Sequence, residues 1–261
     1  MLVNQQLYSE LIQRFHDRTG ALADKNHISV SVWRGAATGS FQDFKVKLED
    51  NQTVLDVVAW IQAYADPTLS YRYACRVGMC GSCAMMVNGT PRWTCRTHVN
   101  KVLVDGKMEI APLRNLPVIK DLATDMDPFF EKWVAAEGLH HPTKTRDDPI
   151  EAIDPSNAAR VEINEGIECI NCAVCYAACD TVASNLDYLG PAALQRAWSV
   201  YNDSKDAGKQ AVLDAVSGSG GCHNCHSMGS CAVHCPNDLN PMKAIAGLKR
   251  ETARNFFKRR T

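Results

Sequence analysis

Twelve cysteines stand in a chain of 261 residues, and all but Cys222 fall into three regular groups. The first is Cys75-x4-Cys80-x2-Cys83 with Cys95 following, and the second is Cys169-x2-Cys172-x2-Cys175-x3-Cys179. The third is Cys225-x5-Cys231-x3-Cys235-Pro236. Such grouping leaves two explanations, a disulfide framework or bound metal. The opening MLVNQQLYSELIQRF has no basic stretch followed by a continuous apolar run and no twin arginine, so the chain is expected on the cytoplasmic side. Thiols stay reduced there, and metal is the expectation.

The remaining composition narrows the function classes. Lys and Arg total 28 against 29 for Asp and Glu, so no basic field exists to gather phosphates, and nucleic acid is not an expected partner. A transmembrane helix needs about 20 consecutive apolar residues; no such run occurs, and any membrane connection is expected to come through a partner or a surface contact. The length suggests two domains.

Hydropathy patterning supports that division. HISVSVWRG and SFQDFKVKL alternate apolar and polar residues on either side of Gly35 and Gly39, which predicts a hairpin of half-buried strands. In NQTVLDVVAWIQAYAD, Thr53 is placed to cap a helix whose Val54, Leu55, Val58 and Ile61 share one face. Short strand signals surround Asp105-Gly106, and DLATDMDPFFEKWVAAEG reads as a helix leaving the first domain. Residues 139–164 hold three prolines, many charges and no clear periodicity, which predicts a surface connector. Beyond it GPAALQRAWSVYNDSKD and KQAVLDAV read as helices, with Pro191 in a first turn. The expected organisation is an amphipathic extension over 1–26 carrying Leu7, Tyr8, Leu11, Ile12 and Phe15, a first domain over 27–138, the connector over 139–164, and a helical domain over 165–261. The fold class is α+β.

The cysteine spacings carry the chemistry. Cys75, Cys80, Cys83 and Cys95 have the plant-type ferredoxin spacing, which holds a [2Fe–2S] cluster by four thiolates. Gly78 and Gly81 permit close backbone approach and N–H contacts to sulfide. Zinc sites instead pair two separated C-x2-C knuckles. The second group is the bacterial ferredoxin run, whose fourth cysteine serves the other of two clusters. Crossing the ligands assigns Cys169, Cys172, Cys175 and Cys235 to a [4Fe–4S] cluster. Cys179, Cys225 and Cys231 are left, with Met228 where a fourth cysteine would stand. Three thiolates and an apolar vacant corner suit a [3Fe–4S] cluster. Cys222 reads as a spare buried thiol or as a fourth ligand after loop rearrangement. The string from Cys222 to His226 also matches the c-type haem pattern, but Cys225 is already claimed by the cluster register.

CRVGMCGSCAMMVNG, ECINCAVCYAACD, GPAALQRAWSVYNDSKDAG and CHSMGSCAVHCPNDLNP together resemble, in order, the motifs of the iron–sulfur subunits of succinate dehydrogenase and fumarate reductase. The resemblance covers about residues 27–250 and leans, through CINCAVCYAAC, to the fumarate reductase branch. It implies an N-terminal β-grasp ferredoxin domain and a C-terminal α-helical ferredoxin domain. It implies a flavoprotein partner with FAD and a membrane anchor that binds quinone and often haem b. It also implies a chain held peripherally on the cytoplasmic side of the inner membrane, with the [2Fe–2S] cluster nearest the flavin and the [3Fe–4S] cluster nearest the quinone. His226 sits where the family has a residue near the quinone, beside Met228. Asp180 and Ser184 stand where many relatives have proline and some ubiquinone enzymes have tryptophan, which points to menaquinone.

A relay serving a thiol–disulfide carrier, as in a thiol-linked fumarate reductase, is the competing reading. No cysteine follows Cys235, so the extra cysteine-rich domain common in such enzymes is not expected. The tail LKRETARNFFKRR reads as a solvated basic helix end or a rest against anionic headgroups. Trp33, Trp60, Trp93, Trp133 and Trp198 read as core or interface residues without a redox role.

Overall fold

The first alternating segment folds back on itself where the glycines stand. In a computed structural model, which describes residues 27–152 and 154–259, β1 (His27–Gly35) pairs antiparallel with β2 (Gly39–Lys47) from His27↔Lys47 to Gly35↔Gly39. The amphipathic extension expected over 1–26 lies outside the described residues. Ile28, Val30 and Val32 alternate into the core, as period-2 patterning requires. Further along come β3 (Ala84–Val87), β4 (Thr90–Trp93) and β5 (Lys107–Ala111), and the sheet order is β2-β1-β5-β3-β4. A two-stranded pair, β6 (Val118–Lys120) and β7 (Ala123–Thr124), lies beside it.

The helix predicted after Thr53 is α1 (Val54–Trp60). Thr53 Oγ1 accepts from Asp56 N at 3.2 Å and the Asp56 carboxylate accepts from Thr53 N at 3.0 Å, a reciprocal capping box. Val54, Leu55, Val57 and Val58 are buried against the sheet. The Asp105-Gly106 signal gives a turn, with φ of 49° and 73°, but only a single bridge, Val104↔Lys107, flanks it. The strand that follows, β5, pairs parallel with β1 and antiparallel with β3, because there Met108 and Ile110 enter the core. Burial outweighs the local hairpin.

Helix α2 (Asp127–Ala135) leads away from the sheet and sets Phe129 edge-on to Tyr176, with ring centroids 5.6 Å apart. The segment expected as an aperiodic connector is more ordered than its sequence suggests. Helix α3 (Ala158–Ile167) starts within it, because Asn157 Oδ1 accepts from Ala159 N and Arg160 N at 2.9 and 3.3 Å, an N-cap. The segment is also pinned by buried Asp206, which accepts from His141 N at 2.7 Å and lies 3.0 Å from His140 Nδ1.

The later half is helical: α4 (Val174–Ala177), α5 (Asp180–Ser184), α6 (Pro191–Asn202), α7 (Lys209–Val216), α8 (Ser230–Val233) and α9 (Pro241–Lys258). Pro191 opens α6 as expected, where its missing N–H costs nothing. Helix α6 runs centrally, with Leu194 and Ala197 fully buried. A Cβ on Gly166 would come within 1.7 Å of Ser199 Oγ, and one on Gly247 within 2.6 Å of the Trp198 ring. The close approach of α3 and α9 to α6 thus makes use of the missing side chains at those positions. Residues 248–258 of the basic tail form the second part of α9. Among the described residues no helix is long and apolar enough to cross a membrane. One apolar cluster runs through both halves, joining Leu55, Trp93 and Leu113 to Tyr176, Trp198 and Leu248.

Asp121 ties three segments of the first half together. Its carboxylate accepts from Gly35 N at 2.9 Å, Arg34 Nε at 3.2 Å and Ser70 N at 2.9 Å, almost out of solvent. Arg34 keeps Asp66 at 2.7 Å without Asp121, but the Gly35 and Ser70 N–H groups would lose their buried acceptor, a penalty of about 1–3 kcal/mol each. Asp121→Ala should cost on the order of 3 kcal/mol, read as a lowered urea midpoint by far-UV circular dichroism. A midpoint equal to that of the unmodified protein would show this carboxylate to be dispensable.

Candidate iron–sulfur sites

The first cysteine loop is built to present N–H groups to sulfur. Val77, Met79 and Cys80 donate to Cys75 Sγ at 3.4, 3.2 and 3.3 Å. These donors favour the thiolate, and with the Val77 N–H first and the Met79 N–H second, they bring the Cys75 pKa down to about 6. Gly78 and Gly81 have φ of 77° and 70°, a conformation that glycine adopts freely. The fourth cysteine comes from the turn after β4, where Thr94 N and Oγ1 both donate to Cys83 O at 3.3 and 2.8 Å. That clasp sets Cys95 beside Cys83. Burial first, then Cys83, pushes the Cys95 thiol up to about 12.

The second and third groups interleave. Cys169 and Cys172 occupy the loop between α3 and α4, Cys175 lies on α4, and Cys235 follows α8. These four line one cavity, which is shared with Trp93, Gln195 and Leu239. Burial pushes Cys169 up and takes Cys172 to about 11. Cys175 is half-buried, and the surrounding protein, then Cys172 and Cys169, drive its thiol well above the usual value. Cys179, Cys225 and Cys231 form a separate neighbourhood around Tyr188. There burial, then Cys179 and Cys225, takes Cys231 to about 11.

Arrays of buried thiols are poor thiolates in the absence of cation charge, and metal ligation reverses that preference. Among the described residues no three His, Cys, Asp or Glu side chains converge as ligands of one ion. A cavity ringed by four thiols suits a multi-iron cluster, whose ligands bind separate irons. Two residues of that cavity wall, Trp93 and Gln195, carry buried N–H groups without partners, and Gln195 also borders a second cavity beside Glu162 and Glu165. Sulfur-rich clusters are acceptors that such donors fit.

Other predicted residues are placed less centrally. His226 and Met228 are exposed, Met228 by 65%, in the loop where Ser227 N donates to Cys225 Sγ at 3.4 Å. Cys222 is fully buried, with Sγ 3.9 Å from Thr252 Oγ1. Several positioning residues were not apparent from spacing. Asn115 Nδ2 donates to Tyr176 O and Cys179 O at 2.9 and 3.2 Å, and Arg114 Nε to Ala177 O at 3.2 Å. They fasten the first half to the second cysteine run, and nothing in their local sequence marks them.

Residues 28–131 match the family described as a 2Fe-2S iron-sulfur cluster binding domain, and residues 168–240 match the 4Fe-4S dicluster domain. The chain is 34% identical over 220 residues to the fumarate reductase iron-sulfur subunit of Haemophilus influenzae, spanning 79% of this chain and 84% of that one. It is equally 34% identical to the Mycobacterium tuberculosis subunit of the same name, over 84% of this chain and 89% of the relative. The chain belongs to the fumarate reductase and succinate dehydrogenase iron–sulfur subunits. A rice mitochondrial succinate dehydrogenase [ubiquinone] iron-sulfur subunit shares 35% identity, over 80% of this chain and 74% of the relative. A chain of the apo Sdh1 complex of Mycobacterium smegmatis superposes with a TM-score of 0.78 at 26% identity, covering 90% of this chain and 98% of that one. This iron–sulfur subunit is thus part of an oxidoreductase.

Gly81 joins its two cluster loops. A Cβ there would lie 2.6 Å from Cys172 Cβ and 2.8 Å from Cys172 Cα. Gly106 has nearly the same φ, 73°, but open space around it. Gly81→Ala should deplete both iron and acid-labile sulfide in anaerobically purified protein, while Gly106→Ala should leave them near the unmodified content. Equal behaviour of the two variants would mean backbone strain alone matters.

Proposed function

We propose that this subunit relays single electrons between the FAD of a flavoprotein partner and a quinone, menaquinone by preference, at a membrane anchor that often carries haem b. The observation that carries this reading is the chain of thiol groups. An exposed loop holding Cys75 leads through Gly81 to the Cys172 cavity, and Cys175 in turn feels Cys231 of the third group. When bound, a [2Fe–2S], a [4Fe–4S] and a [3Fe–4S] cluster supply the one-electron chemistry.

The ligands in this reading are Cys75, Cys80, Cys83 and Cys95 for the first cluster. Cys169, Cys172, Cys175 and Cys235 hold the second, and Cys179, Cys225 and Cys231 the third. The ferredoxin domains are of plant-type β-grasp and bacterial helical kinds, over 27–138 and 165–261, with 139–164 between them and the 1–26 extension ahead. The protein's own contribution is to orient thiolates by N–H donors and to exclude water from the middle site. Exposed Val77 and Met79 beside Cys75, and exposed Met228 beside Cys225, suit contact with two different partners. The first faces the flavoprotein and the second, with His226, the quinone side. The assembled subunit sits peripherally on the cytoplasmic side of the inner membrane. The similarity to subunits named for fumarate reductase supports that branch of the family.

Electron paramagnetic resonance on anaerobically purified complex tests the assignment. An oxidised sample should show a near-isotropic three-iron signal that disappears on reduction as a two-iron signal grows. Met228→Cys should abolish the oxidised signal and add one iron per chain. Iron and sulfide fitting two four-iron clusters in the unmodified protein would instead make Cys222 a ligand and sink the three-iron reading.

A further inference from the structure

Four buried side-chain N–H groups have no hydrogen-bond partner among the described residues: those of Trp33, Trp93, Trp133 and Gln195. An unpaired buried donor is costly, and two of these four, Trp93 and Gln195, line the Cys169–Cys172–Cys175–Cys235 cavity. They arrive from opposite halves of the chain. Trp93 ends β4, two residues before Cys95, and Gln195 belongs to α6, one turn after Ala192 in the same cavity wall. Gln195 is only 3% exposed, so bulk solvent does not reach its amide.

The Trp93 indole N–H makes no complete hydrogen bond, yet it lies near enough to the Cys172 thiol to favour the thiolate against burial. Its ring also meets the first cysteine loop, since a Cβ on Gly78 would lie 3.3 Å from Trp93 Cζ3. One indole thus spans the two neighbouring cysteine loops. For Gln195, thiolate and sulfide accept hydrogen bonds and do not donate them, so the amide end that belongs toward them is the NH2.

We propose that Trp93 and Gln195 are positioning residues that set the reduction potential of the four-iron site, donating to Cys172 Sγ and to the sulfur atoms of the cavity. This rests on the four-thiolate assignment made above. Reduction adds one negative charge to the cluster, so donors aimed at its sulfur stabilise the reduced form more than the oxidised one and raise the potential. The effect is strengthened because both donors belong to buried residues.

Redox titration of the assembled complex, followed by electron paramagnetic resonance, tests this in Gln195→Leu and Trp93→Phe. Each variant should lose on the order of tenfold in the equilibrium constant for reducing the four-iron cluster, about 59 mV downward for one electron. The three-iron midpoint should stay in place. Should either variant lose the cluster, unmodified protein carrying 15N in its glutamine side chains decides the point. Pulsed spectra of the reduced four-iron cluster should then show an exchange-sensitive proton and a glutamine 15N coupling. Unshifted or raised four-iron midpoints, or no glutamine 15N coupling, would overturn the proposal while leaving the ligand assignment standing. Absence of any four-iron signal from the unmodified protein would instead overturn the assignment beneath it.

Discussion

A thiolate at Cys175 is unstable in its surroundings until a cation neutralises it. Burial drives its thiol well above the ordinary range, and the neighbouring cysteines add to the effect. The same holds for Cys172 and Cys231. These positions make energetic sense as ligands, because metal binding couples thiol deprotonation to folding. The elements carrying them point the same way. α4, α5 and α8 are four or five residues long, far too short to persist as helices in isolation. α6 and α9 supply the apolar frame, and the cysteine loops fill the space between its ends.

That frame also fixes the first half against the second. The approach of Gly81 to Cys172 leaves no room for a side chain, and Asn115 clasps the carbonyls of Tyr176 and Cys179. Backbone acceptors at the end of α4 and beside Cys179 are thereby satisfied by a side chain from the sheet half, where they would otherwise need water. Phe129 against Tyr176 extends the contact into a continuous apolar core. The two halves, which differ in composition and secondary structure, therefore share one interior.

Much of this was legible in the sequence wherever a local rule decides the outcome. The β1–β2 hairpin, the Thr53 capping box and the Pro191 start of α6 each depend on residues within a few positions of one another. What escaped notice depends on partners far away. The β5 strand joins β1 in parallel, which no local turn signal encodes. α3 rests on an Asn157 cap and on the close approach of Gly166 to α6, inside a stretch whose apolar periodicity is weak. The grouping of the cysteines could be read because spacing on a loop limits which irons a thiolate can reach. The surroundings of the groups could not, since Asn115, Gln195 and Trp93 come from distant segments, and Trp93 looked like any core tryptophan.

The three cysteine neighbourhoods differ in the surfaces beside them, and this difference bears on how each is controlled. Around Cys75 the donors are backbone N–H groups of an exposed loop, with Val77 and Met79 open to solvent. Water and any partner docked there share in setting the local field. The loop around Met228 is open in the same way. The cavity of Cys169, Cys172, Cys175 and Cys235 is lined by this chain's own Trp93, Gln195 and Leu239, the first two of them buried. In a site of low polarity each fixed dipole counts for more than it would at the surface. On the ligand assignment proposed above, the middle of the chain of thiols is lined by this sequence's own buried side chains, while its two ends border exposed loops.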